Sequence, residues 1–179
     1  KVAVIGAGSM GSGIAYICAV KGYEVALAEV NDELLKKGIS RIRQMIVEGV
    51  GRGKFSPKDA EEVMKKIRGT ASVAEAAKDA DIVIEAVFED INVKKEVFKA
   101  LDMNCPPHAV LASNTSALSI GEMAKATNRA DKVIGKPAIE AIPNTRLHIV
   151  LARGEPELNQ QQKLGTTVIV TNRVPVRSD

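Results

Sequence analysis

Four apolar residues, Val2, Ala3, Val4 and Ile5, run without a break into Gly6-x-Gly8-x-x-Gly11, and a helical pattern takes over from about residue 10 to 20. An apolar run of that kind reads as a strand covered on both faces, which places it in a parallel sheet with helices on either side. A second strand, residues 25–28, ends in the acid Glu29, eighteen residues past Gly11. Each part has a physical job. Gly6 lets the chain turn sharply out of the strand, Gly8 has no side chain to hold a pyrophosphate off the backbone, and Gly11 lets the helix approach the sheet. The unpaired N–H groups and positive dipole end of that helix then face the phosphates. Glu29 is placed to accept hydrogen bonds from a ribose diol. A plain glycine-rich turn leaves that acid unexplained, so the pattern predicts a dinucleotide site. A carboxylate beside the ribose repels a 2′-phosphate, and Val30 and Asn31 offer no cation to hold one. NAD is expected over NADP.

The rest of the chain repeats the alternation. Residues 31–50 read as a helix, with Asp32 as the expected cap of its start and Leu34, Leu35, Ile39, Ile42, Ile46 and Val50 on one stripe, broken by Gly49, Gly51 and Gly53. Ser56 is the expected N-cap of a further helix reaching about residue 67, with Pro57 at its first position and Asp59 in its first turn. Arg52 and Lys54, at the bend between the two, read as a solvated turn. Residues 81–87 (DIVIEAV) form the next strand, followed by Phe88-Glu89-Asp90 and a helix over about 91–101 that carries Lys94. Residues 109–112 make another strand, which runs into Ser113-Asn114-Thr115-Ser116. Ser119 and Glu122 have the spacing of a capping box, and residues 132–135 read as one more short strand. The expected fold is α/β: a Rossmann-like, doubly wound, mostly parallel sheet with a helical-pair insertion after the second strand. Ligands in such sheets sit outside the carboxyl ends of the strands, where Gly6, Glu29, Glu89 and the 113–116 stretch all fall.

Composition narrows the partners. A net charge of +3, with basic residues scattered among acids, does not suggest nucleic acid. No apolar run approaches the roughly 18 residues of a membrane span. Cys18 and Cys105 follow no disulfide or metal spacing and are expected to be reduced, which fits the cytoplasm. With two histidines and no Cys/His cluster, no metal is expected. The chain opens directly on a core strand without a methionine, so it reads as lacking a signal peptide and as either a trimmed chain or a domain cut from something longer.

Three stretches taken together, KVAVIGAGSMGSGIA, DIVIEAVFEDINVKKEVF and LASNTSALSI, resemble the NAD-binding domain of the L-3-hydroxyacyl-CoA dehydrogenases, the β-oxidation enzymes that include the short-chain 3-hydroxybutyryl-CoA dehydrogenases. The resemblance covers residues 1 to about 135 in unbroken order. By position it implies that Gly6, Ala7, Gly8, Ser9, Met10 and Gly11 form the phosphate loop and that Glu29 is the ribose acid, usually Asp in the family. It implies that Glu89 and Lys94 line the NAD site, and that Ser116 lies near both the nicotinamide and the substrate hydroxyl. The implied activity is NAD-dependent oxidation of an L-3-hydroxyacyl-CoA to the 3-oxoacyl-CoA. The implied partners are an acyl-CoA substrate and, in the full-length protein, a second copy held through a C-terminal helical domain.

Past residue 135 the chain departs from the family. The family reads G-M-H-F-F-N-P, in which the histidine takes the substrate's hydroxyl proton and a glutamate twelve residues on orients the imidazole. The same positions here hold Pro137 and Ile149, and neither side chain ionises. His148, beside the second position, reads as structural. Residues 155–164 read as about two and a half helical turns, shorter than the family's helix, and 166–171 as a closing strand. The family's helical C-terminal domain is absent, so residues 1–179 are expected to be one NAD-binding domain. Two explanations fit: catalysis has been lost and the chain is a silent NAD-binding module, or residues 136–179 depart from the encoded sequence. The intact cofactor elements favour the second.

Overall fold

The computed structural model describes residues 1–115, 118–134, 157–164 and 167–173, the last two stretches by their backbone. The chain divides into two units, Lys1–Ile134 and Gly135–Asp179. In the first, β1 (Val2–Ile5), β2 (Val25–Ala28), β3 (Ile67–Thr70), β4 (Ile82–Glu85), β5 (Val110–Ser113) and β6 (Val133–Ile134) form one sheet in the order β3-β2-β1-β4-β5-β6. Every neighbouring pair is parallel, and the order reverses between β1 and β4, as the α/β reading expects.

β1 shows why the strands are apolar throughout. Val2 and Val4 enter a core shared with α1 (Ser9–Val20), α2 (Asp32–Gly51) and α3 (Pro57–Lys65). Ala3 and Ile5 enter the opposite core, with α4 (Val73–Ala77), α5 (Ile91–Asn104) and α6 (Ile120–Ala124). A polar group on either face of β1 would lose its water without a partner, whereas each large apolar side chain gains about 1.5–3 kcal/mol on burial.

Several boundaries differ from expectation. Asn31, not Asp32, caps α2: its side chain accepts from the Leu34 N–H at 2.9 Å. Leu34 stays 41% exposed, while Leu35, Ile42 and Ile46 carry the buried stripe. Ser56 caps α3 as expected, with Asp59 completing a reciprocal box, but the helix stops at Lys65. Ile67 belongs instead to the edge strand β3, whose only fully buried residue is Thr70, so no alternating pattern announces it. Ser119 caps α6, yet the box is one-sided. The Glu122 carboxylate is taken by Lys95 (2.9 Å) and Lys125 (2.7 Å), which hold it down to about 2.

The C-terminal end of α5 is fastened from a distance. Arg129 donates from Nε to Asp102 Oδ1 (2.7 Å), from Nη1 to the Pro106 carbonyl (2.7 Å) and from Nη2 to the Asp102 carbonyl (2.7 Å). Burial opposes ionisation of Asp102, but bonds from Asn128 and Arg129 outweigh it and lower the carboxyl below its ordinary value. Arg129→Met is expected to cost about 2–3 kcal/mol in urea denaturation at pH 7. A depressed carboxylate contributes stability that is present above its unfolded value, about 3.9, and lost as the pH falls through the folded one. The gap between variant and parent should therefore narrow below about pH 4.

Both cysteines are free, and burial pushes the Cys105 thiol up to about 11. Among the described residues, no helix is long and apolar enough to cross a membrane. In the second unit, β7 (Glu157–Leu164) and β8 (Thr167–Arg173) pair antiparallel. Over 157–164 the expected helix is thus a strand, and the rest of that expectation, 155 and 156, lies outside the described residues. The β-branched run of β8 supplies a ladder partner, and that pairing overrides the weak helical preference of Gln160, Gln161 and Gln162.

Candidate functional site

All strands of the parallel sheet end at one edge, and the crevice between β1 and β4 is where the order reverses. The turn from β1 into α1 lies across that crevice. Gly6 has φ +103°, and a Cβ there would stand 2.5 Å from the Ala86 carbonyl oxygen at the end of β4. A Cβ on Gly11 would stand 1.8 Å from the Gly6 carbonyl oxygen, so the first turn of α1 rests directly on the loop. A Cβ on Gly8 would meet nothing within 4 Å. Gly6 and Gly11 are therefore required by the protein's own packing, and Gly8 is not.

The N-terminus of α1 is unlike its neighbours. Among the described residues, α2, α3, α4, α5 and α6 are capped by the side chains of Asn31, Ser56, Ser72, Asp90 and Ser119. α1 has Gly8 at its N-cap, no side-chain cap and no acid in its first turn. Its first N–H groups and dipole end are left to whatever enters the crevice. Ser9 and Met10 form the exposed rim of that turn.

Ala7 is held at three points. Its N–H donates to Glu29 Oε2 at 2.6 Å, and its carbonyl accepts from Ser12 Oγ (2.9 Å) and Arg41 Nη1 (3.1 Å). Glu29 Oε1 also accepts from the Val30 N–H at 2.9 Å. The acid at the end of β2 is thereby fixed against the loop while its side chain stays half-exposed, and each of its oxygens keeps capacity to accept a further hydrogen bond. Arg41, on α2, is a cation at this loop that positions 30 and 31 do not supply.

On the other side of β1, Glu85 at the end of β4 is 0% exposed and Lys94 on α5 is 1% exposed. Lys94 Nζ donates to Glu85 Oε1 (2.7 Å), Glu89 Oε2 (3.2 Å) and the Val87 carbonyl (3.4 Å). Glu85 Oε1 also accepts from the Val87 N–H (2.7 Å), and Oε2 accepts from Ser113 Oγ (2.5 Å). Glu89 lies exposed at the rim and accepts from the Thr115 hydroxyl. Met10 in the first turn of α1, and Val30 and Phe88 in the loops after β2 and β4, are each more than half exposed.

The structure thus brings Gly6, Ala7, Gly8, Ser9, Met10 and Gly11 together with Glu29, Glu89 and Lys94 at one edge of the sheet. Ser116, Pro137, His148 and Ile149 lie outside the described residues. Ser113, from the 113–116 stretch, joins them through Glu85, while Glu85, Ser12 and Arg41 are additions. The signal for Glu85 was present: a carboxylate inside a doubly covered strand demands a cation, and Lys94 follows nine residues later.

Known proteins agree with this geometry. The family model for the 3-hydroxyacyl-CoA dehydrogenase NAD binding domain matches residues 1–137. A probable 3-hydroxybutyryl-CoA dehydrogenase of Bacillus subtilis is 38% identical over 98% of this chain and 63% of its own length. The glyoxysomal fatty acid beta-oxidation multifunctional protein MFP-a of Brassica napus is 41% identical over 75% of this chain and 18% of its own. The crystal structure of the (S)-3-hydroxybutyryl-CoA dehydrogenase PaaH1 from Ralstonia eutropha superposes with a TM-score of 0.72 at 34% identity, covering 75% of this chain and 47% of that one. The chain spans less than two thirds of the length of each of these relatives.

Proposed function

Because the chain belongs to the 3-hydroxyacyl-CoA dehydrogenase family, as its NAD-binding domain, we propose that it serves the NAD-dependent oxidation of L-3-hydroxyacyl-CoA to 3-oxoacyl-CoA by holding the coenzyme at the β1–β4 crevice. Bound there, NAD would take the hydride from C3 of the substrate. The observation that carries this reading is the uncapped N-terminus of α1, with open space at Gly8 and a carboxylate fixed beside it. The pyrophosphate takes the free N–H groups of α1, and the adenosine ribose takes the outer lone pairs of Glu29. The nicotinamide half lies towards Glu89 and Lys94, and the family resemblance assigns Ser116 to the same half. A second reading, a silent NAD-binding module, is favoured by Pro137 and Ile149 standing where the family has its base and orienting acid. The two free cysteines support a reducing, cytoplasmic compartment, although the Brassica relative is named glyoxysomal. Residues 1–179 act as one NAD-binding domain, and pairing of two copies is assigned to the family's helical domain.

Cofactor choice tests the site. NADH should bind at least tenfold more tightly than NADPH, a difference of about 1.4 kcal/mol, in a fluorescence titration. Glu29→Ala should narrow that ratio, because the repulsion is relieved while Arg41 remains at the loop. Equal affinities in the parent protein would remove Glu29 from the ribose.

A further inference from the structure

We propose that Glu85 is a positioning residue for the nicotinamide half of the coenzyme: a buried carboxylate that sets the Lys94 ammonium and, through it, the rim carboxylate of Glu89. The inference rests on the NAD reading above and assigns a role to a residue which that reading leaves unused.

Stability alone does not account for the pair. Taking two charges out of water is costly, and well-packed apolar residues of similar volume often serve a core as well or better. What an ion pair supplies that an apolar pair does not is direction, and the geometry here is directed. Glu85 is a hub for donors from two loops. The Val87 N–H comes from the β4–α5 loop and the Ser113 hydroxyl from the end of β5, and the Glu85 main-chain carbonyl accepts from Asn114 N–H at 2.8 Å. Lys94 has three N–H groups and three acceptors: Glu85, Glu89 and the Val87 carbonyl. The ammonium therefore cannot move without giving up one of them. Its link to Glu89 carries that constraint from a fully buried group to one at the rim.

Position assigns the half of the coenzyme. A dinucleotide in a sheet of this order lies across the switch point, one nucleoside on each side of β1. Glu29, on the β2 side, faces the adenosine half. The Glu85 cluster, at the ends of β4 and β5, lies under the other half. Fully buried, Glu85 touches no ligand and acts only through Lys94, Glu89 and the two loops it joins.

ADP, which contains the adenosine half and no nicotinamide, separates this role from general support of the fold. In the full chain, Glu85→Gln keeps the shape but loses the charge that holds Lys94. It should weaken NADH at least tenfold and change ADP affinity less than twofold, both read by calorimetric titration. Should that variant fail to fold, Glu85→Asp, which keeps the charge at shorter reach, should still weaken NADH about threefold with ADP unchanged. Parallel loss of NADH and ADP, or no loss of either, overturns the positioning role while leaving the NAD reading intact. A parent chain that binds neither ligand refutes the NAD reading, and the inference with it.

Discussion

Gly11→Ala is expected to destabilise the folded chain by about 3 kcal/mol in urea denaturation, whereas Gly8→Ala changes it by less than about 1 kcal/mol. The two glycines stand three residues apart in one motif and look interchangeable in the sequence. Their surroundings are opposite. At Gly11 the added methyl would lie 1.8 Å from the Gly6 carbonyl oxygen, a backbone atom that cannot swing aside. Either α1 lifts off the loop or the loop leaves the crevice, and both disturb the packing of Ala15 and Ala19 against the sheet. At Gly8, φ is −66° and the methyl meets no protein atom within 4 Å. Alanine is a poorer N-cap than glycine, but its unfolded chain has less freedom to lose, and the two effects nearly cancel. NADH reports the reverse order of cause. Gly8→Ala should weaken binding tenfold to a hundredfold, about 1.4–2.8 kcal/mol, because its methyl fills space the pyrophosphate needs. If Gly8→Ala binds NADH as the parent does, the open space at the N-terminus of α1 is a structural turn and not a phosphate cradle.

What could be read from the sequence follows how local each determinant is. β1, the glycine turn, α1 and β2 are contiguous, and each contributes a signal of its own: unbroken apolarity, glycine spacing, helical period, a terminal acid. Their bounds needed almost no correction. β3 was illegible because an edge strand with one fully buried residue and an exposed Arg68-Gly69 has no face to alternate. The cap of α2 was misassigned by one residue because Asn31 and Asp32 are adjacent cap formers, and only the backbone decides which one is extended. Arg129 and Asp102 lie 27 residues apart and meet only because α5 and the segment after α6 fold together. Glu85 is the instructive case. An acid in an otherwise apolar strand signals a buried partner, but only the fold shows that α5 and β5 bring Lys94 and Ser113 to it together.

The unaltered chain should bind NADH and yet oxidise 3-hydroxybutyryl-CoA negligibly. The residues proposed to hold the coenzyme gather at the β1–β4 crevice, but the family's route for the substrate's hydroxyl proton needs a base at position 137. Pro137 stands where the family has its base, and Ile149 where that base has its orienting acid. Loss of a general base typically costs ~10²–10⁴ in rate. Poor positioning adds to this, since misplacement by an ångström can alone cost about 10²-fold. Restoring the pair by Pro137→His with Ile149→Glu in residues 1–179 alone should therefore fail to rescue turnover, because the family's helical domain also positions the acyl-CoA. The same pair in a chain carrying the family's helical domain should raise turnover by an order of magnitude or more, read as NADH formed per minute at saturating substrate. If the double variant stays silent there too while NADH affinity is unchanged, the silent-module reading gains and position-by-position transfer past residue 135 is wrong. Robust turnover by the unaltered chain would refute that transfer from the other direction, since a base other than the one at position 137 would then be at work. His148, eleven residues further on, is the ionisable side chain to replace first in that event, with His148→Gln expected to abolish the activity.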